Sequence, residues 1–313
     1  MLNRSNATDL FPRVSYQLSS SSWSPGKFYP AINDIKFTLH TTFNIPTREG
    51  IIGITGCIVC PNGKMIFLDY YNNRLVILNE DGTLDKEIPC SLSNPFDVTC
   101  LDDTTVAVST YSGIEIININ SAKTERRIET SKQCCGITHH NGVLLLCELE
   151  RGIQMKRLSD DRATTLVKQI NLPYDSYITA CGDKIYQTNR NTSPFTCYTM
   201  KGEKLWEYRD VSVLKNPQGV TVDNNSNVYV TSRTFNSVVV IEPDGRQGRQ
   251  LISNDDGLTN RPEYILTNLK TVCWLSTTMD RLSCIRCAKY FVNVGKTILI
   301  HILVVKTVSH FLK

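Results

Sequence analysis

No apolar stretch of this 313-residue chain is long enough to cross a bilayer as a helix. The apolar tail from Tyr290 to Leu312 is interrupted by Lys296, His301 and Lys306, so no charge-free part of it approaches the roughly 20 residues that a span needs. The first 30 residues also lack the apolar core of a secretion signal. The sequence therefore predicts no membrane span, and we expect a cytoplasmic protein.

A strong excess of either charge is also missing. The net charge is +4, but eight Lys and Arg against two acidic residues lie between Arg261 and the C-terminus, so the rest of the chain is slightly acidic. A nucleic-acid-binding protein usually carries a basic domain or stripe. The overall charge therefore favours a protein partner over RNA.

Cysteine, by contrast, is abundant, with 12 residues. Several lie within apolar runs, among them Cys100, Cys147 and Cys181. Without a secretion signal, reduced thiols that pack as small hydrophobic side chains are the better interpretation.

A repeat of about forty residues dominates the chain. One unit spans Gly56–Gly82, a second spans Gln218–Gly245, and weaker copies begin near residues 96, 135 and 177. The second strand residues of the five units follow each other at steps of 39 to 42, and they are Ile58, Val98, Ile137, Ile178 and Val220. Four short strands per unit at this period are typical of a propeller blade.

The turn residues favour strands over helices. Dipeptides that tolerate a positive φ recur between apolar runs, as tight hairpins require, and they are Asn62-Gly63, Asp81-Gly82, Asn141-Gly142, Gly182-Asp183 and Asp244-Gly245. No amphipathic run of helical length precedes Arg261. The sequence thus predicts an all-β propeller and excludes the helical repeat folds of similar period.

The stretch FLDYYNNRLVILNEDG, residues 67–82, resembles the NHL repeat, with its Asp, Asn-containing loop, Arg, apolar strand and Asp-Gly. The second good unit, residues 230–245, has the Asn and the strand but lacks the Asp. The similarity is greatest to the propellers of invertebrate tripartite-motif proteins. It implies a six-bladed propeller, a cytoplasmic location and recruitment of protein or RNA. It also implies a RING ubiquitin ligase in full-length members, but no paired Cys/His spacings precede Asn33, so we expect the non-enzymatic recognition part alone.

Three regions are predicted. Residues 1–32 resemble a disordered segment, and residues 33–262 hold blades one to five with a closing strand at Ile35–Pro46, the expected outer strand of blade six. Residues 263–313 are an atypical tail in place of blade six, because they lack the turn glycines and the Asn-containing loop. We interpret this tail as out-of-frame translation, since suitable codons read in another frame give the missing strand, turn and loop; chance is the alternative. The last blade is therefore expected to be incomplete.

The loops between second and third strands hold the candidate partner-binding residues, because they combine aromatic, Arg and Asn side chains of the kind found in binding hot spots. They are Tyr70, Tyr71, Asn72, Arg74, Tyr111, Arg151, Asn189, Arg190, Arg233, Phe235 and Asn236. A protein partner is the favoured occupant, and single-stranded RNA is the alternative, since bases stack on aromatic and Arg planes. No cofactor, metal or small-molecule substrate is expected.

Three other residue patterns suggest metal binding or acid–base catalysis, but structural roles explain them better. Cys57-x-x-Cys60 and Cys284-x-x-Cys287 have metal-like spacing, but a zinc site needs four ligands. His139 and His140 are adjacent on one strand and point apart. Carboxylates recur near strand ends, where turn capping is the commoner role, at Asp97, Asp102, Asp103, Asp183 and Asp223. The rival function is a propeller enzyme, either a metal-dependent lactonase-like hydrolase or an amidating lyase, whose site would need several polar residues converging on the channel.

Overall fold

The computed structural model of the chain describes residues 32–35, 39–46, 52–160, 162–191, 194–223, 225–253, 262–267, 271–276 and 298–304. These residues form strands, turns and one short 3₁₀ segment, Ile32–Asp34. None of the described segments is a helix long and apolar enough to cross a membrane. The predicted segment 1–32 lies almost wholly outside the described residues.

The chain folds as an all-β propeller, as predicted. Five blades each consist of four consecutive antiparallel strands. Blade one comprises β2 (Ile54–Val59), β3 (Met65–Asp69), β4 (Arg74–Leu78) and β5 (Leu84–Pro89). Blade two comprises β6 (Pro95–Cys100), β7 (Thr105–Thr110), β8 (Gly113–Asn118) and β9 (Lys123–Glu129). Blade three comprises β10 (Cys134–His140), β11 (Val143–Glu148), β12 (Gly152–Arg157) and β13 (Ala163–Lys168).

Blades four and five repeat the arrangement. Blade four comprises β14 (Ile178–Cys181), β15 (Lys184–Thr188), β16 (Phe195–Thr199) and β17 (Lys204–Tyr208), and blade five comprises β18 (Pro217–Val222), β19 (Val228–Ser232), β20 (Ser237–Ile241) and β21 (Gly248–Ile252). The first strands of successive blades lie beside each other around a central channel. All five residues that marked the forty-residue period lie on these inner strands, so the predicted register of the repeats is confirmed.

Burial explains why the middle strands are apolar. Every residue of β3, β4, β19 and β20 is buried, because both faces of these strands pack against neighbouring blades. The outer strand β5 is mostly exposed or half-buried. This gradient gives the apolar middle and polar rim that the repeat shows in sequence.

The predicted turns have the backbone that their residues favour. Gly63, Gly82, Gly182 and Gly245 all have φ between 60° and 85°, and Asn141 and Gly142 have φ of 49° and 78°. Such values are accessible to Gly and Asn at low cost. The sequence therefore predicted the hairpins that set the strand register.

A further four-stranded sheet joins the two ends of the chain. Its order is β1 (Leu39–Ile45), β24 (Ile298–Val304), β23 (Thr271–Ser276) and β22 (Pro262–Thr267). β1 is its edge strand, and β22 lies beside the inner strands of blades five and one. The tail, where an incomplete blade was predicted, therefore contains three strands of this sheet; its remaining residues lie outside the described part.

One pair of cysteines differs from the predicted reduced state. Cys60 and Cys100 form a disulfide with Cα atoms 6.0 Å apart, and they occupy equivalent positions at the ends of β2 and β6. Seven other described cysteines are free thiols, five of them buried, as expected: Cys57, Cys90, Cys134, Cys135, Cys147, Cys181 and Cys197. The repeat spacing of 40 residues placed the pair side by side, a proximity that sequence reasoning did not detect.

Replacing Cys60 and Cys100 by serine should lower the free energy of unfolding by about 2 kcal/mol, because the disulfide restricts a long loop of the unfolded chain. Urea unfolding with and without dithiothreitol measures this. The reductant should destabilise the wild type and a Cys90→Ser control, but not the double variant. Insensitivity of the wild type to the reductant would contradict the bond.

Candidate recognition face and central channel

All the predicted partner-binding residues belong to one end of the propeller. They lie in or beside the links between second and third strands, at the end of each blade where the inner strand begins. The connections between blades reach the same end. We call this set of links the upper face, and the opposite set, with the first-to-second and third-to-fourth links, the lower face.

Buried polar side chains anchor the upper face. Each lies at or near the end of a second strand and accepts a backbone N–H from the segment that enters the same blade. The pairs are Gly53 N to Asp69 Oδ1 (3.3 Å), Asp97 N to Ser109 Oγ (3.0 Å), Lys132 N to Glu148 Oε1 (2.7 Å), Tyr177 N to Thr188 Oγ1 (2.9 Å) and Lys215 N to Ser232 Oγ (3.1 Å). The Asp that the second NHL-like unit lacks is thus replaced by Ser232 in the same role.

Arg74 was predicted to bind a partner, and this is wrong. Only 3% of Arg74 is exposed. Its guanidinium donates to the Asp69 carboxylate at 3.0 Å, pairs with Glu87 at 2.5 Å and donates to the Pro46 carbonyl at 3.4 Å. A buried charge needs such partners, so Arg74 holds blade one together and cannot reach a ligand. Asn72 is exposed but also donates to Asp69, at 2.8 Å.

Two other predicted arginines are held by carboxylates. Arg190 pairs with Asp175 at 2.5 Å, and Arg151 lies 3.5 Å from the Glu148 carboxylate. Both arginines remain about one third exposed, so they can also meet a partner. Asn189 accepts the N–H of Asn191 at 3.1 Å and shapes its own link.

The remaining predicted residues of blade five lie at one turn. Arg233, Phe235 and Asn236 are half-buried, and Asn236 has a φ of 47°. The equivalent Asn73 of blade one has a φ of 46°. The Asn of the repeat therefore shapes the turn, while Arg233 and Phe235 keep part of their side chains at the surface.

Exposed apolar side chains concentrate on the upper face. Tyr71 and Tyr111, both predicted, are 46% and 58% exposed. Tyr174, Ile170 and Val211 are 38%, 66% and 59% exposed and were not predicted. They lie in the long connections between blades, residues 169–177 and 209–216. The length of these connections was the sequence feature that could have identified them. The two other large exposed hydrophobic side chains among the described residues lie on outer strands, and they are Leu84 and Leu205.

An aromatic cluster lies where the inner strands begin. Phe96 stacks on Tyr177 at a centroid distance of 5.3 Å and meets Tyr174 edge-on at 4.9 Å. The Tyr177 hydroxyl donates to the Thr55 carbonyl at 3.0 Å, which links blade four to blade one across the channel. Burial raises the pKa of the Tyr174 hydroxyl, and the nearby Tyr70 adds to the shift, so this side chain stays neutral. The cluster gives the upper face a rigid apolar centre.

The two faces carry opposite charge. The described links of the upper face hold six basic residues against three acidic ones, and the basic ones are Lys132, Arg151, Arg190, Arg209, Lys215 and Arg233. The lower face holds ten acidic residues against four basic ones. The slightly acidic balance of the chain before Arg261 concealed this difference between the faces, because a net charge carries no information about position. The upper face is therefore basic and rich in exposed aromatic side chains.

A cavity of about 110 Å³ lies on the channel axis. Its described lining comes from the inner strands and their approaches, and includes Asp97, Thr99, Thr138, Thr179 and Thr221. The Asp97 carboxylate accepts the N–H of Val98 at 2.9 Å and that of Ile137 at 3.0 Å, so it also joins blades two and three. Burial raises the pKa of Asp97 to about 7, although these two hydrogen bonds oppose the shift. Turn capping, the role predicted for most of the carboxylates, does not apply to Asp97.

The other candidate chemistry has structural roles. Burial raises the pKa of the Cys147 thiol to about 12, which makes it a poor nucleophile. Cys60 is in the disulfide, so it does not join Cys57 as a ligand. Burial lowers the pKa of His139, and the His140 ring lies 2.8 Å from the Gly182 carbonyl in the next blade. In the described part of the chain, no group of three His, Cys, Asp or Glu side chains could hold a metal ion.

Solved structures with the same architecture are numerous and have varied functions. A chain of a nidogen–laminin complex is 17% identical over 68% of this chain and 84% of its own length, with a TM-score of 0.58. The virginiamycin B lyase of Staphylococcus aureus is 18% identical over 87% and 100%, with a TM-score of 0.60. A structural genomics protein of unknown function from Bacteroides thetaiotaomicron is 11% identical over 83% and 72%, with a TM-score of 0.64.

At these identities the similarity shows the β-propeller fold alone. No protein-family model matches the chain, and no curated protein matches it.

Proposed function

We propose that this propeller is a non-catalytic recognition module that binds a protein partner through its upper face. The concentration of exposed Tyr and aliphatic side chains on that face carries the proposal. Exposed aromatic side chains gathered on one face of a rigid support are typical of an interaction site. The buried anchors at the ends of the second strands hold these links in place, so little conformational entropy is lost on binding.

Within this proposal, the chain is the substrate-recruiting part of a tripartite-motif type ubiquitin ligase, with six blades. The Asp69–Arg74 pair and the shared Asn73 and Asn236 turns support the NHL resemblance. In this proposal the sheet of β1, β24, β23 and β22 serves as the sixth blade, beside the five blades of consecutive strands. The same resemblance supports a cytoplasmic location, whereas the Cys60–Cys100 disulfide is a kind of bond that persists in oxidising compartments.

Single-stranded RNA is the second candidate, and the basic upper face favours it. Six cationic side chains can meet phosphates while Tyr71 and Tyr111 offer surfaces for base stacking. Three of the arginines are already paired with carboxylates, which weakens the attraction for phosphate. We therefore favour a protein partner, and salt dependence separates the two, because RNA affinity falls steeply with ionic strength.

The enzyme alternative would use the channel. Asp97 is the one charged side chain among the described residues that line the cavity. General acid–base catalysis needs a positioned group in hydrogen-bond reach of the reacting atoms, and a propeller hydrolase or lyase would need several Glu, Asp, Asn or His side chains converging on the channel. We therefore propose no catalysis for the channel.

Replacing Tyr71 or Tyr111 by alanine should weaken partner binding by 10-fold or more, because each change removes an exposed aromatic anchor. The partner can be represented by peptides selected from a phage-display library on the full chain. Dissociation constants for these peptides are then compared between the variants and the wild type.

Leu84→Ala and Leu205→Ala are the matched controls, since both side chains are about as exposed as Tyr71 but lie on outer strands. They should leave the affinity unchanged. Equal losses in the controls would refute the upper face as the site. Binding of a labelled 20-nucleotide single-stranded RNA that disappears between 50 and 300 mM KCl would move the assignment to RNA.

A further inference from the structure

The central cavity contains a buried anionic group without a cationic lining residue. Asp97 is 8% exposed and lines the cavity. Among the described lining residues there is no Lys, Arg or His. An ionised carboxylate is costly in such surroundings, and two backbone N–H groups offset only part of that cost.

Threonine residues line the same cavity at equivalent positions of four blades. Thr99, Thr138, Thr179 and Thr221 each follow the residue that marks the forty-residue repeat, and all four line the cavity. The equivalent residue of blade one is Val59. Because the inner strands lie side by side, the four threonines share one level of the channel. Thr99 Oγ1 accepts the N–H of His139 at 3.1 Å, so that hydroxyl is already oriented.

The occupant can be limited by size and charge. A cavity of about 110 Å³ holds a few water molecules or one small ion with its ligands. The hydroxyl and carboxylate oxygens around it are hard donors that suit alkali cations and ammonium groups. An anion would be repelled by the Asp97 carboxylate.

We propose that the channel binds a small monovalent cation, held by the Asp97 carboxylate and the threonine hydroxyls. The shared chemistry is a compact positive charge, which an alkali metal ion or a primary ammonium group supplies. Such a ligand would stabilise the inner strands of the ring without any contribution from the upper face. This inference is independent of the proposed recognition function.

The thiols that interact with Asp97 carry no charge at pH 8, so they do not affect the binding of a cation. The thiols of Cys134, Cys135 and Cys147 interact electrostatically with Asp97, and burial raises the pKa of all three. Asp97 itself is ionised at that pH because its raised pKa is about 7. The Tyr177 hydroxyl is committed to the Thr55 carbonyl. A cation would therefore interact chiefly with Asp97.

Thermal unfolding of the full chain at pH 8 tests the proposal. The melting temperature is measured in 200 mM KCl, NaCl, ammonium chloride or methylammonium chloride, and each value is compared with 200 mM tetramethylammonium chloride, whose charge is shielded by methyl groups and which has no N–H to donate. The fitting cation should raise the melting temperature by about 3 °C or more. A rise with ammonium and methylammonium identifies an ammonium group, and a rise with KCl or NaCl alone identifies an alkali ion.

Variants decide whether the rise comes from the cavity. Asp97→Asn should abolish it, and Asp183→Asn, on an exposed turn, should preserve it. If Asp97→Asn does not fold, Thr138→Val with Thr179→Val removes two hydroxyls at nearly constant volume and should reduce the rise. Equal melting temperatures in all five salts, or a rise unaffected by the cavity variants, would overturn the proposal.

Discussion

Arg74→Ala should lower the free energy of unfolding by about 3 to 5 kcal/mol, the cost of leaving buried carboxylates without their partner. Asp69 is fully buried and loses its ion pair at 3.0 Å, and Glu87 loses its ion pair at 2.5 Å. The hydrogen bond to the Pro46 carbonyl, which ties blade one to the preceding segment, is lost as well. Urea unfolding followed by tryptophan fluorescence and circular dichroism gives the change.

Arg190→Ala is the matched control, because Arg190 also pairs with a carboxylate, Asp175, but is 37% exposed. Exposed pairs contribute about 0 to 1 kcal/mol, so this variant should unfold almost like the wild type. Similar losses for the two variants would contradict the buried role of Arg74. If Arg74 instead binds a partner, Arg74→Ala should reduce the affinity for that partner and leave the free energy of unfolding unchanged.

The stability of the wild type should fall between pH 4.5 and pH 7.5 through Asp97. Its pKa is raised from 3.8 in the unfolded chain to about 7 in the fold, so the folded state binds the proton more tightly. The stabilisation is complete below the unfolded value and is lost as the pH rises through the folded value. A shift of this size corresponds to about 4 kcal/mol, since one pKa unit is about 1.4 kcal/mol.

Asp97→Asn removes this titration. Its stability should be flatter over the same range than that of the wild type, whatever its absolute value, because asparagine does not ionise. Asp183→Asn should retain the wild-type slope. The free energy of unfolding at 0.5-unit intervals of pH gives the three slopes, and parallel curves for wild type and Asp97→Asn would refute the raised pKa. A bound cation at high pH should reduce the wild-type slope.

The strand pattern could be predicted from the sequence because it depends on interactions between neighbouring residues. Short apolar runs rich in β-branched residues and turn dipeptides such as Asn141-Gly142 specify strands and hairpins from neighbouring residues alone. The forty-residue step between Ile58 and Val98 then specified the inner strand of each blade. The exposed Tyr71 and Tyr111 were found for the same reason, since a turn between two apolar strands must lie at the end of a blade.

The roles of charged side chains could not be predicted from neighbouring residues alone. Arg74 and Arg190 both lie in or beside a link between second and third strands, yet one is buried and the other is about one third exposed. Asp97 resembles the turn carboxylates, yet it lies within an inner strand and accepts an N–H from the next blade. The tail of the chain, predicted to form an incomplete blade, contains three described strands although it lacks the turn glycines that mark the other blades.

The sequence by itself determined the all-β repeat, the strand order within each blade and the end of the blades on which the candidate loops lie. Only the tertiary structure decided which polar groups are buried, which cysteines meet and how charge divides between the two faces. The physical reason is that hydrophobic period and turn preference act over a few residues. Burial, pKa and the Cys60–Cys100 contact arise between blades, about forty residues apart in the chain.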